Sequence, residues 1–191
     1  MTAQLHDSLL YENQEYSIIG VNGQGLFQPM DYGLNPLGLC SACWRGFLCQ
    51  YFLKDRRLYL NWLRINCGHA PQKAPVVNGV YPEYPPEDYP IFDTYYKNLI
   101  LEIMFSGGML LGTGFIHELY VHIDFHPAWK FETVYELIFQ KGVVEEIRDV
   151  REKVAEIRNW ILKKSLDQEN INDNETLMNW IQSTFRLDYR L

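Results

Sequence analysis

The sequence predicts an α+β protein: a mostly antiparallel β-meander, a curved sheet or partial barrel, followed by two C-terminal α-helices. Three observations carry this reading. Aromatic residues make up 15% of the 191 residues, with 13 Tyr, 10 Phe and 5 Trp, and aromatic side chains fit pleated, half-buried surfaces. Apolar runs of period 2 recur on either side of polar turns up to about residue 148. Helical periodicity is confined to the residues after that point. One domain spanning 1–191 is expected at this length, β-rich over about 1–148 and helical over about 149–185.

The elements follow in order. Leu9-Leu10-Tyr11 and Tyr16-Ser17-Ile18-Ile19 flank the polar turn Glu12–Glu15 and predict a hairpin. Val21-Asn22-Gly23-Gln24-Gly25 carries residues suited to positive φ and reads as a turn. Residues 26–42, with Pro29, Gly33, Asn35, Pro36 and Gly38, predict an irregular surface segment. Phe47–Leu53 and Leu58–Leu63 alternate around Lys54-Asp55-Arg56-Arg57 and form the clearest hairpin. One face of that hairpin is apolar, with Phe47, Cys49, Tyr51, Leu53, Leu58, Leu60 and Trp62 in phase. Pro71, Pro75, Pro82, Pro85, Pro86 and Pro90 exclude strand or helix interior and predict a long loop. Strands are expected at Leu99–Phe105 and Met109–Ile116 around a Ser106-Gly107-Gly108 turn, and again at Glu118–Phe125. In the return strand Gly112 and Gly114 suggest a bend or bulge. Thr133–Gln140 and Val143–Arg148 alternate around Lys141-Gly142 and read as strands despite their glutamates. Asp149, with Glu152 three residues on, has capping-box spacing for a helix that presents Val154, Ile157 and Ile161 on one face. A second helix at about 174–185 would bury Leu177, Ile181 and Phe185.

Composition excludes several classes. Hydrophobic residues at 47% and charged residues at 21% are those of an ordinary globular chain. The net charge is 17 − 24 = −7. With a pI near 5.2 and no Lys/Arg cluster, binding to nucleic acid is not expected. No apolar run reaches the ~18 residues of a membrane span. The first residues lack the basic and apolar regions of an export signal, so a cytoplasmic location is expected. The four Cys, at 40, 43, 49 and 67, then read as thiols or metal ligands rather than disulfides.

Two clusters have ligand-type side chains. Cys40-x-x-Cys43 with Cys67-x-His69 offers four zinc donors, although the second pair is not a knuckle and buried apolar filling explains a lone Cys equally. His122-Ile123-Asp124-Phe125-His126 would place His122, Asp124 and His126 on one face of a strand, with Glu118 as a neighbouring base. Residues at i and i+4 of a strand are about 13 Å apart, at ~3.3 Å per residue, so a straight strand cannot bring both His to one ion. A solvated polar face is the alternative account. No Gly-rich phosphate cradle and no Gly-x-Ser-x-Gly elbow occur. No cofactor is expected.

The feature least explained by folding is the acidic, aromatic stretch from Tyr81 to Tyr96. From Ala74 to Tyr96 there is no Lys or Arg. Tyr81, Tyr84, Glu87, Asp88 and Tyr89 are the candidate partner-binding residues: tyrosines supply rigid contact area, and carboxylates favour a basic partner. Tyrosines packed back on the sheet would be the competing account.

Cys43-Trp44-Arg45-Gly46-Phe47, running into a hairpin that returns through Leu58-Tyr59-Leu60, resembles a step in small uncharacterised bacterial β-meander proteins. Asn22-Gly23 and Tyr135-Glu136-Leu137 before Lys141-Gly142 fit the same pattern over about half the chain. The resemblance implies the meander and no activity. The expected function is therefore a non-catalytic protein-binding protein, and an immunity-type inhibitor of a basic nuclease toxin has this profile. A metal-dependent enzyme built on His122, Asp124 and His126, and a small-ligand sheet lined by Tyr51, Tyr59 and Trp62, are the alternatives.

Overall fold

The structure, a computed structural model, describes residues 2–86, 91–122 and 125–166. Nine strands form one sheet: β1 (Ser8–Tyr11), β2 (Gln14–Gln24), β3 (Phe47–Lys54), β4 (Arg57–Ile65), β5 (Thr94–Tyr96), β6 (Leu101–Glu102), β7 (Ser106–Phe115), β8 (Phe131–Gln140) and β9 (Val143–Asp149). One helix, α1 (Arg151–Leu166), follows. The protein is α+β and mostly β. No described helix is long and apolar enough to cross a membrane.

The sheet is a closed barrel rather than a meander. Its order runs β3-β1-β2-β7-β8-β9-β4, and β4 pairs back to β3. Seven strands thus form the ring, which is mixed because β1 and β3 are parallel. Sequence periodicity reports which face a residue takes. It does not report which strand lies alongside, so neither the parallel pair nor the β2–β7 neighbours can be read from it.

Three hairpin turns have two residues with positive φ: Glu12-Asn13, Asp55-Arg56 and Lys141-Gly142. Turns of this hand match the right-handed twist of the strands they join. All three lie inside the polar runs that read as turns in the sequence.

Elsewhere the glycines mislead. Val21–Gly25 is no turn, since β2 continues to Gln24. Nor does Ser106-Gly107-Gly108 turn the chain, since it begins β7. Gly23 instead faces Gly107 across the β2–β7 ladder. A Cβ on Gly107 would lie 2.3 Å from the Asn22 carbonyl oxygen. These glycines permit close approach of two backbones. Two expected strands also shrink or vanish. Leu99–Phe105 reduces to β6, with Asn98 and Ile100 at positive φ on either side of Leu99. The described residues of Glu118–Phe125 form no strand: a short 3-10 turn, His117–Leu119, enters this connection between β7 and β8.

A bulge decides the phase of β4. Gln50 opposes Trp62 but Tyr51 opposes Leu60, so Asn61 is the extra residue. Leu58 and Leu60 point inward before it, and Leu63 and Ile65 after it. Trp62 leaves the interior and packs outside with Cys43, Leu48 and Phe92. Large side chains, Tyr51, Tyr96, Phe105, Met109 and Phe139 among them, fill the barrel.

Helix α1 lies on the outer face of β8. Val154 is buried there and Ile157 packs beside it, with Ile19, Leu110, Phe131 and Val134 in the same outer cluster. The Asp149 carboxylate accepts the Arg151 N–H at 3.1 Å and satisfies one open donor of the first turn. Arg158 donates to the Trp129 and Phe131 carbonyls at 2.6 and 2.5 Å, tying the helix to the β7–β8 connection. The second expected helix, at about 174–185, lies outside the described residues.

The opposed glycines generate a stability prediction. Gly107→Ala should destabilise the protein by more than about 2 kcal/mol, because backbone lies in the way of the new methyl. Gly79→Ala, at φ 77° with nothing within 4 Å, should cost only about 1 kcal/mol. Urea unfolding of the two variants measures the difference.

Candidate functional site

Two regions hold side chains that the fold does not use up. The first is the long connection between β4 and β7. Its loops are strapped down rather than loose. The Asp93 carboxylate accepts the Cys67 N–H at 2.9 Å, the Gly68 N–H at 2.7 Å and the Thr94 hydroxyl at 2.7 Å. Tyr96 donates its hydroxyl to the Pro75 carbonyl at 2.7 Å. Glu83 and Tyr95 exchange both backbone hydrogen bonds, at 2.9 and 2.8 Å. On this support Tyr81 is 77% exposed and Tyr84 is 64% exposed. Tyr96, by contrast, is buried in the core. The stretch is also less acidic in effect than in composition. Asp93 is bound to backbone, and Glu83 pairs with Lys97 at 2.9 Å. Glu87, Asp88 and Tyr89 lie outside the described residues.

The cysteine set does not converge. Cys43 is buried and donates its thiol to the Phe47 carbonyl at 3.3 Å. Burial pushes its pKa up, and that of Cys67 as well, which opposes the thiolate form that zinc requires. His69 is exposed and meets the neighbouring Ala70 carbonyl. Cys40 lies across a tight backbone bridge from Cys43. Among the described residues no group of three or more His, Cys, Asp or Glu could hold a metal ion.

The second region is the β7–β8 end of the barrel, where the described residues of the strand expected at Glu118–Phe125 form no strand. His122 and His126 do not share a face. His122 is exposed, 2.8 Å from the Tyr120 hydroxyl through Nδ1. Asp124 lies outside the described residues. His126 turns inward and is only 7% exposed. Its ring lies 4.7 Å from that of Phe115 and 5.2 Å from that of Tyr120.

Among the described residues, the chain brings His6 and Lys130 to His126. His6 precedes β1. Its Nδ1 lies 3.2 Å from the Ile18 carbonyl oxygen, and because a carbonyl only accepts, Nδ1 carries the proton and Nε2 is bare. The His6 ring sits against Phe125 and Phe131, with centroids 5.2 and 6.4 Å away. Lys130 is 4% exposed, its amine 5.3 Å from the Trp129 ring. Among the described residues, the two nitrogens of His126, the His6 Nε2 and the Trp129 indole N–H are buried with no hydrogen-bond partner. Burial lowers the pKa of His6, His126 and Lys130. For His126 the charges of Lys130 and His6 add to the effect.

Comparison with protein-family models, with curated proteins and with solved structures finds no match to this chain.

Sequence reasoning passes over His6 and Lys130. The available signal is thin: a lysine between two aromatics, Trp129-Lys130-Phe131, close after His126. The small-ligand alternative fails in the barrel centre, where Tyr51 is part of a filled interior. Tyr59 stacks on Phe52 at 5.3 Å and Trp62 lies outside. An open groove of about 710 Å³ lined by Leu10, Phe52, Asn61, Asn98 and Ile100 lies beside them.

Buried bases make stability depend on pH in one direction. The folded state holds His6 and His126 below their ordinary pKa, so the unfolded chain takes up protons first as pH falls below about 6.5. Stability should therefore drop between pH 7 and pH 5. His126→Phe should flatten that acid limb while leaving stability near pH 8 within about 1.5 kcal/mol of the parent. Urea midpoints across the pH range test this.

Proposed function

We propose that the chain is a non-catalytic protein-binding protein whose contact face is the proline-stiffened loop bearing Tyr81 and Tyr84. The observation that carries the proposal is the exposure of two large aromatic rings on a segment whose backbone is pinned. A solvent-facing tyrosine adds nothing to this core. Held rigidly, it offers contact area at little entropic cost on binding. Glu87 and Asp88, with the overall charge of −7, favour a basic partner by steering its approach. An immunity-type inhibitor of a basic nuclease toxin, acting in the cytoplasm, is the kind of protein that fits.

A photo-crosslinking amino acid in place of Tyr84, in the native host, should trap a partner of basic pI. Tyr81→Ala and Tyr84→Ala should each weaken that complex about tenfold or more, as buried aromatic anchors do, with unfolding midpoints unchanged. Glu87→Gln with Asp88→Asn should slow association and reduce its dependence on salt. Binding unchanged in the double tyrosine variant would place the interface elsewhere.

A further inference from the structure

Buried polar groups in folded proteins are nearly always hydrogen-bonded. At the β7–β8 end several are not, and they fall together. His126 is more than nine-tenths buried, and neither ring nitrogen meets a partner. The His6 Nε2 and the Trp129 indole N–H are likewise buried and unpartnered. Lys130 is buried beside them, and none of its described interactions is with a carboxylate. Rings link the two histidines, His6 to Phe131, Phe131 to Phe115 at 5.4 Å, and Phe115 to His126, and the Lys130 amine lies 5.3 Å from the Trp129 ring.

The chemistry of these groups selects the missing partner. A metal cation is the wrong guest, since an ammonium and an indole N–H present only protons and Lys130 repels it. Arg158, tied to the carbonyls of Trp129 and Phe131, adds a second positive charge nearby. Water would satisfy a donor but would leave the charge uncompensated. Among the described residues, the acidic groups close by are engaged or outward. Asp7 holds Arg45 through two hydrogen bonds and accepts the Cys49 N–H, while Glu118 and Glu132 are exposed. Cover over the histidines is thin, for Tyr120, against His126, and Phe125, against His6, are both close to half exposed.

We propose that the β7–β8 end of the barrel is a binding site for a small oxyanion, a carboxylate or a phosphate, held by Lys130, the Trp129 indole N–H and the imidazoles of His6 and His126. Protonation of an imidazole turns its bare nitrogen into a donor, so the anion and the proton enter together. The aromatic rings around the cluster would exclude water from the contact.

The test uses the full chain at pH 7, exchanged into buffer free of phosphate and carboxylate. Thermal unfolding is followed with sodium phosphate, acetate or benzoate, each against sodium chloride of equal ionic strength. An oxyanion at tenfold its Kd should raise Tm by about 3–5 °C over chloride and shift the side-chain NMR signals of His6 and His126. A response to phosphate alone names phosphate; a response to acetate or benzoate names a carboxylate. Lys130→Met keeps the volume and removes the positive charge of a residue that is 4% exposed, so it should fold with an equal or higher Tm yet lose the oxyanion response. His122→Ala, at the exposed rim, should keep it. The proposal falls if no oxyanion acts beyond chloride, if Lys130→Met retains the full response, or if zinc stabilises the protein where the oxyanions do not.

Discussion

The barrel depends on how one edge of β4 is satisfied. A strand edge with open N–H and C=O groups is a liability, and here three different segments share it. At the start of β4, the Leu58 N–H donates to the Gly142 carbonyl at 2.9 Å and the Val144 N–H to the Arg56 carbonyl at 2.8 Å. That short pairing with β9 closes the ring. Arg56 locks it, its guanidinium reaching the carbonyls of Val144 at 2.5 Å and Glu145 at 2.9 Å. Further along, the Ile103 N–H donates to the Leu58 carbonyl and the Leu99 N–H to that of Asn61. β5 then covers Leu63 to Ile65. The ring closes at a point, and the remaining edge is filled by chain from the long connection.

That arrangement ties down the described residues of a proline-rich connection. Its residues supply main-chain partners for β4 and buried side chains, Leu99, Ile103 and Phe105, for the core. Each proline forgoes a donor, so the stretch around them forms isolated bridges, Val77–Val80 and Glu83–Tyr95, instead of long strands. Anchored on both sides, the loop presents Tyr81 and Tyr84 without the freedom that usually makes loop contacts costly. The contact face proposed for partner binding is therefore a by-product of edge protection.

The β7–β8 end follows a different logic. Buried polar side chains elsewhere are tied in: Gln50 bridges Glu15 and Asn61, at 2.6 and 2.7 Å. Against that background, both nitrogens of His126 and the Nε2 of His6 give up hydration without a partner among the described residues, which costs stability. Such exceptions to an otherwise satisfied interior are where ligand chemistry is found.

How much of this is readable from residues alone depends on the range of the interaction. Alternation in 47–63 and 131–149 and the two-residue turns are local, so β3, β4, β8, β9 and the start of α1 are legible. So is the unusual character of Tyr81 and Tyr84. The glycines at 23 and 107 mislead because a residue without a Cβ serves a turn and a close backbone contact equally well, and only the partner strand decides between them. The bulge at Asn61, which sends Trp62 out of the interior, likewise belongs to the pairing with β3. The basic cluster lies beyond reach for the same reason. His6 stands far from His126 and Lys130 in sequence, and the pairing of β2 with β7 brings them together. Periodicity by itself determined which face each strand residue prefers. Tertiary structure decided which strands meet, because hydrogen bonds between strands carry no sequence mark of their partner.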